Sequence, residues 1–267
     1  MTGTAEARTY VFGNRSIHSL EQHRCLSELC DPLSIARLGR TGVGDGWRCL
    51  EVGSGGGSVA RWLAQRVVPR GEVIATDLEP QLISGVPGLT VRRHDIASDP
   101  LPEAGFDLIH ARLVLQHVPR REEALTRLVG ALRPGGWLQI DEFDVEYSPV
   151  LLAPDEHSRR VYECFQAAKA RVFRAAGCDP TWGRRVAQRL SDLGLVDVDP
   201  LVHIEAWRGG SAGALLQHHH TLHARDGFLR DGMTEQQLAD VRRLLTDPSF
   251  QVSSPVRHCV QARRPAG

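Results

Sequence analysis

The sequence predicts an α/β protein built on a doubly wound, mostly parallel sheet with helices on both faces. Two observations carry this prediction. Strand-like and helix-like patterns alternate over residues 48–143, the signature of βαβ units. Within that stretch, "CLEVGSGGGSVARWLA" (49–64) turns on glycines from an apolar strand-like run into a helix-like one, with four glycines among residues 53–57. Right-handed crossovers then fix a doubly wound topology, a fold that places its ligands at the carboxyl ends of the strands.

Taken in order, "HSLEQHRCLSELCDPLSIARLG" has leucines at helical spacing and reads as two short helices interrupted at Pro32. A strand follows at 48–52 and a helix at 57–67. Next come a strand at 72–76, a short helix, strands near 89–93 and 106–110, and a helix at 121–132. "LRPGG" breaks that helix before a strand at 137–143. Beyond residue 144 the pattern turns helical: 155–176 stopped by Gly177, 183–194, 211–230 and 234–246. "LVDVDPLVHIEAW" and "VRHCVQARR" (256–264) read as strands. The organisation expected is an N-terminal helical segment (1–46), a core (47–144), and helical lid insertions with the last two strands (145–267), forming a single domain.

Composition narrows the function. The 267 residues are ample for one domain with a cap, and the apolar fraction is ordinary. Net charge is zero, so bulk electrostatics favours neither nucleic acid nor an anionic membrane. There is no apolar run long enough to span a bilayer, and "MTGTAEARTYVFGN" lacks a secretory apolar region, so a cytoplasmic protein is expected. The six scattered cysteines form no CxxC pair and read as reduced, mostly packed thiols. Lys169 is the sole lysine among 32 basic residues, which reads as genome composition or as a role in phosphate or carboxylate recognition.

The glycine loop excludes a P-loop, because no Lys-Ser/Thr follows it. Glu51, Gly53, Gly55 and Gly57 form acid-x-Gly-x-Gly-x-Gly, while Ser58 breaks the dinucleotide spacing. A carboxylate beside such a loop opposes a pyrophosphate but welcomes an ammonium or sulfonium group. Asp77 ends the next strand, where a carboxylate accepts both hydroxyls of a ribose. Asp95 ends the third, where a carboxylate can accept from an adenine amino group, with the Ile96 backbone alongside.

This set of motifs, together with "FDLIHARLVLQHVP" and "LRPGGWLQIDEFD", resembles the class I S-adenosylmethionine-dependent methyltransferases. It looks most like their bacterial small-molecule branch, which includes natural-product and quinone methyltransferases. The resemblance covers residues 45–145 well and the remainder loosely. It implies a Rossmann-like seven-stranded sheet of order 3-2-1-4-5-7-6 with the last strand antiparallel. It also implies S-adenosyl-L-methionine as cofactor and methylation of a small organic acceptor, oxygen first, then nitrogen or carbon, in secondary metabolism. By the same resemblance Glu51, Gly53, Ser54, Gly55 and Gly57 hold the methionine part, Asp77 and Leu78 the ribose side, and Asp95 and Ile96 the adenine. Ala111 and Arg112 line the methionine end. No metal is implied, and a homodimer is allowed.

Methyl transfer needs nucleophile, methyl and sulfur in line, and a hydroxyl nucleophile must also lose a proton. His117, closing "LVLQHVP", is the candidate base, with Glu142, or Asp141 beside it, as its orienting acid. His218, His219, His220 and His223 read as a polar helix face, a substrate-pocket wall, or, from the spacing of His219 and His223, a zinc site. Tyr10 is placed over the cofactor. Trp182, Trp207, Phe165 and Phe173 are read as packing. Two other functions remain open: a protein that binds the cofactor without methylating, as a binding module or cyclase-like, and an NAD(P)-dependent oxidoreductase.

Overall fold

A computed structural model of the chain describes residues 18–267; Tyr10 lies outside them. Seven strands form the main sheet: β1 (Arg48–Val52), β2 (Glu72–Asp77), β3 (Leu89–Arg93), β4 (Phe106–Arg112), β5 (Leu132–Asp144), β7 (Val196–His203) and β10 (Val256–Arg263). Their order is β3-β2-β1-β4-β5-β10-β7. Counting only these strands, this is the expected 3-2-1-4-5-7-6. β10 runs antiparallel to both neighbours, with Val260 opposite Ile140 of β5 and Pro200 of β7. β7 lies at the sheet edge, where Pro200 leaves no central ladder bond unmade.

The strands alternate between two cores. Leu50, Val52, Ile74 and Ile109 pack on one face with α3 (Arg121–Ala131) and α5 (Gly183–Asp192). Cys49, Val73, Ala75 and Leu108 pack on the other with α2 (Ser58–Val67). This period of two, with both faces covered, explains why β1 and β4 are buried along almost their whole length.

Two expectations are corrected by the local geometry. Among the described residues before β1 there is one helix, α1 (Ser19–Gly39), which runs through Pro32 instead of breaking there. Pro32 and Glu28, whose carbonyl the proline leaves without an N–H, are both exposed, so water takes over that acceptor. "LVDVDPLVHIEAW" is two strands: β7, and β8 (Ala206–Arg208), which joins β6 (Val150–Leu152) and β9 (Gln251–Ser253) in a second sheet of order β6-β9-β8.

That small sheet belongs to a cap with its own core. α4 (Glu156–Ala175), α6 (Ala212–His223), α7 (Arg225–Arg230) and α8 (Glu235–Leu244) bury Tyr162, Phe165, Phe228, Leu238 and Phe250 together. The helical stretch expected over 211–230 is made of two helices, α6 and α7. The aromatic rings meet closely, Tyr162 with Phe250 at 5.1 Å and Phe165 with Phe228 at 5.3 Å between centroids. Asp155 caps α4 by accepting the Ser158 N–H at 2.7 Å, and Thr234 with Gln237 forms a capping box on α8. No helix of the described residues is long and apolar enough to cross a membrane.

Candidate cofactor and methyl-transfer site

The glycine loop leaves β1 at Val52 and enters α2 at Ser58. Gly53, Gly55 and Gly57 all adopt left-handed φ values of 62°, 52° and 74°. Close approach also requires glycine here. A Cβ on Gly53 would sit 2.3 Å from Val114, and one on Gly55 would sit 2.6 Å from the imidazole of His23. Ser54 holds the turn, donating its N–H to the Thr76 carbonyl and its hydroxyl to the Glu51 carbonyl.

Asp77 connects the second strand to this loop. Its Oδ2 accepts the Gly55 N–H at 2.9 Å and its Oδ1 the Glu79 N–H at 2.9 Å. Leu78 beside it is an exposed leucine. Asp95 closes a turn of its own, its Oδ1 accepting the Ala97 N–H at 2.8 Å, while the neighbouring Ile96 carbonyl accepts from Arg127.

Glu51 is buried, and its partner is a residue that sequence reasoning missed. Nδ1 of His110, its neighbour in the β1–β4 register, lies 2.7 Å from Glu51 Oε2. The other ring nitrogen faces Asp141 Oδ2 at 3.4 Å. Burial alone would depress His110, but the two carboxyl groups raise it to about 9, so the ring is an imidazolium at neutral pH. Asp141 is held well below the usual carboxylate range by His110, Cys259 and Ser34 against its burial. Ser34 Oγ of α1 donates to Asp141 at 2.5 Å.

Helix α1 closes over these strand ends. Asp31 accepts from Ser58 Oγ at 3.0 Å and from Arg112 at 2.8 Å, so Arg112 is tied to α1. Ala111 is fully buried in the sheet. His23 packs on Gly55 and Gly56 near Asp77, and burial lowers its pKa. No signal in the sequence pointed to His23, because its spacing is that of any helical residue.

His117 ends the 3-10 turn that follows β4 and is half-buried. Burial, then the Arg121 charge, push it down to about 4, so it is a neutral base at physiological pH. Glu142 is fully buried and raised to about 8 by burial, so it carries its proton. Its Oε1 accepts the Gln116 N–H at 3.2 Å rather than bonding the imidazole, and its Oε2 has no hydrogen-bond partner. His117 packs edge-on to Phe173 at 6.4 Å, and Phe173 to His220 at 5.9 Å. The ring of His18, the residue before α1, meets those of His219 and His223 on α6 at 6.3 and 5.7 Å. Among the described residues no cluster of His, Cys, Asp or Glu has the geometry to hold a metal.

The donor set fits a cationic nucleoside better than a dinucleotide. Three successive strands end in or beside a carboxylate, Glu51, Asp77 and Asp95, around a loop with no room for side chains. Two carboxylates sharing one imidazolium leave a net negative charge beneath that loop.

Comparison with known proteins bears on the domain and its fold. Residues 50–140 match the family model described as a methyltransferase domain. Methyltransferase str2 of Strobilurus tenacellus is 38% identical over 105 residues, 38% of either chain. The ubiquinone/menaquinone biosynthesis C-methyltransferase UbiE of Ectopseudomonas mendocina is 31% identical over 121 residues, 42% of this chain and 47% of that one. The chain thus spans less than half the length of these curated relatives. In fold it is similar to phosphoethanolamine N-methyltransferase 2 of Haemonchus contortus, solved in complex with S-adenosyl-L-methionine. There the TM-score is 0.57 at 15% identity, over 96% of this chain and 60% of that one. Residues 50–140 are thus a methyltransferase domain, set in the strand order that the resemblance to the class I S-adenosylmethionine-dependent methyltransferases implies.

Proposed function

We propose that this protein transfers a methyl group from S-adenosylmethionine to a hydroxyl oxygen of a small organic acceptor. The observation that carries the reading is the Asp77 carboxylate fastened to the glycine loop above a buried, net-negative Glu51–His110–Asp141 group. Glu51 and the backbone of residues 53–57 hold the amino acid end, Asp77 and Leu78 the ribose, and Asp95 and Ile96 the adenine. The cofactor, when bound, supplies a methyl group already activated on sulfur. Ala111 and Arg112 close the methionine end, with α1 as a roof. His117, neutral in its buried setting, takes the hydroxyl proton as the oxygen attacks. Protonated Glu142 stiffens the turn that carries His117 through the Gln116 N–H and keeps a second negative charge away from the nucleophile.

Cofactor binding without transfer is the second reading, favoured by one observation: Glu142 orients the turn and not the imidazole. Isothermal titration with S-adenosylmethionine and S-adenosylhomocysteine, with Asp77→Ala alongside, tests the first step. Wild-type binding that weakens at least about tenfold in the variant supports the reading, since two charge-assisted bonds are lost. A folded wild-type protein that binds neither ligand overturns it. Methyl transfer to a panel of phenols separates the two readings.

A further inference from the structure

Arg121 opens α3, a position where positive charge is unfavourable. The first turn of a helix presents free N–H groups and the positive end of the helix dipole, so an acid is the favoured residue there. The Arg121 guanidinium is turned back toward the preceding chain. Its Nε donates to the Leu115 carbonyl at 3.2 Å, and its Nη2 to the carbonyls of Gln116 at 3.4 Å and Gly177 at 2.9 Å. Its Nη1 reaches Asp179 Oδ2 at 3.2 Å. Leu115 and Gln116 belong to the 3-10 turn that ends in His117. Gly177 and Asp179 belong to the connector between α4 of the cap and α5. The Asp179 N–H adds a further bond across the same gap, to the Gln116 carbonyl at 2.8 Å.

This is not an ordinary surface ion pair. Only 15% of the Arg121 side chain and 18% of the Asp179 side chain are exposed, so solvent screens the pair weakly. A planar fork of N–H donors serves three carbonyls and a carboxylate at once, which a point-charge ammonium does not. Asp179 is itself fixed: its Oδ1 accepts the Thr181 N–H and hydroxyl, both at 3.1 Å, and Arg185 also pairs with it. The connector is pinned again where the Pro180 carbonyl accepts the Val145 N–H at 3.0 Å, just beyond β5. The His117 turn is therefore gripped from the cap side, and its ring meets Phe173 near the end of α4. Of the groups around that ring, Glu142 of β5 is protonated, burial holds the Cys178 thiol up at about 12, and burial keeps His220 of α6 neutral. Arg121 is the charge that acts on it.

We propose that Arg121 is a positioning residue for methyl transfer: its guanidinium fastens the His117 turn to the cap connector, so that cap and sheet together set the place of the imidazole. The role in transfer rests on the reading of His117 as the base; the fastening stands on its own bonds.

Amide hydrogen exchange and NMR titration of the His117 ring, on wild type, Arg121→Gln and Arg121→Lys, test this. The Gln116 and Asp179 amides should exchange at least about tenfold faster in both variants, the scale of one lost charge-assisted bond. Amides of residues 53–57 should keep their rates, and S-adenosylmethionine affinity should stay within about twofold. His117, near 4 in wild type, should titrate about one unit higher in Arg121→Gln. Arg121→Lys keeps the charge without the fork and should move it less; general loosening would move it equally in both. Arg121→Lys is also the milder change and carries the exchange measurement if Arg121→Gln does not fold. Unchanged exchange at both amides, an unmoved His117 in Arg121→Gln, or equal shifts in the two variants overturns the fastening. On a phenol that wild type methylates, Arg121→Lys should lower kcat about tenfold with KM for S-adenosylmethionine unchanged; an unchanged kcat overturns the positioning role. If His117→Ala transfers methyl as fast as wild type while exchange and titration move as expected, the base reading fails alone and the fastening stands.

Discussion

His110 Nδ1 lies 2.7 Å from Glu51 Oε2, with the ring fully buried between two strands of the sheet. The pair stores pH-dependent stability. The folded value of His110, about 9, exceeds its ordinary 6.5, so the stabilisation is complete below about pH 6.5 and is lost as pH rises through about 9. The magnitude is on the order of 3 kcal/mol. Melting temperature against pH should fall across this window in wild type and stay flatter in His110→Gln. The same variant should weaken S-adenosylmethionine binding, because Glu51 loses the group that holds it.

Glu142 shifts in the opposite chemical sense but has the same sign with pH. Its folded value of about 8 lies above 4.5, so the native state holds a proton that the unfolded chain releases. Stability therefore declines between about pH 4.5 and 8. Glu142→Gln, which mimics the protonated acid, should raise stability by on the order of 3 kcal/mol at pH 8 and have little effect at pH 4.5. Denaturant unfolding at the two pH values measures this directly.

For His117, replacement by Ala should lower the rate of methyl transfer to a hydroxyl acceptor by roughly 10²–10³. Affinity for S-adenosylmethionine should stay within about twofold, since the histidine acts on the acceptor's proton. Because burial holds His117 near 4, the wild-type rate should remain level as pH falls from 7 to about 5. Single-turnover rates over that range check both statements, and an unchanged rate in the variant removes His117 from the base role.

Gly53 tests the loop itself. Gly53→Ala pushes a methyl into Val114 Cγ2 at a left-handed backbone position and should cost about 2–4 kcal/mol. Adding Val114→Ala should recover the steric part and leave about 1 kcal/mol of backbone strain. A double-mutant cycle on urea midpoints reads the coupling. Full additivity would mean that the loop relaxes away from Val114.

Much of this was legible in the sequence because it is local. Alternation over 48–143 gave the sheet, and glycine spacing with Asp77 at a strand end gave the loop. What the sequence withheld depends on residues that meet only in three dimensions. His110 is 59 positions from Glu51 and sits in an apolar run, where it looks like core. His23 reaches Gly55 only because α1 folds over the strand ends, and Lys169 meets Gln217 across two cap helices. β6, β8 and β9 are three residues each, too short to show a period of two. The proline in α1 misled because its cost depends on whether water reaches the orphaned carbonyl.

The position of β10 has a consequence for synthesis. It is made after β7 yet lies between β7 and β5, and β7 has no other strand partner in the sheet. As the chain leaves the ribosome, β1 to β5 can pair in order, while β7 emerges with no neighbour and both edges open. More than fifty residues of cap must follow before its partner arrives. The Val196–His203 strand therefore waits exposed, and a nascent chain stalled before Val256 should be a client for chaperones that bind extended segments.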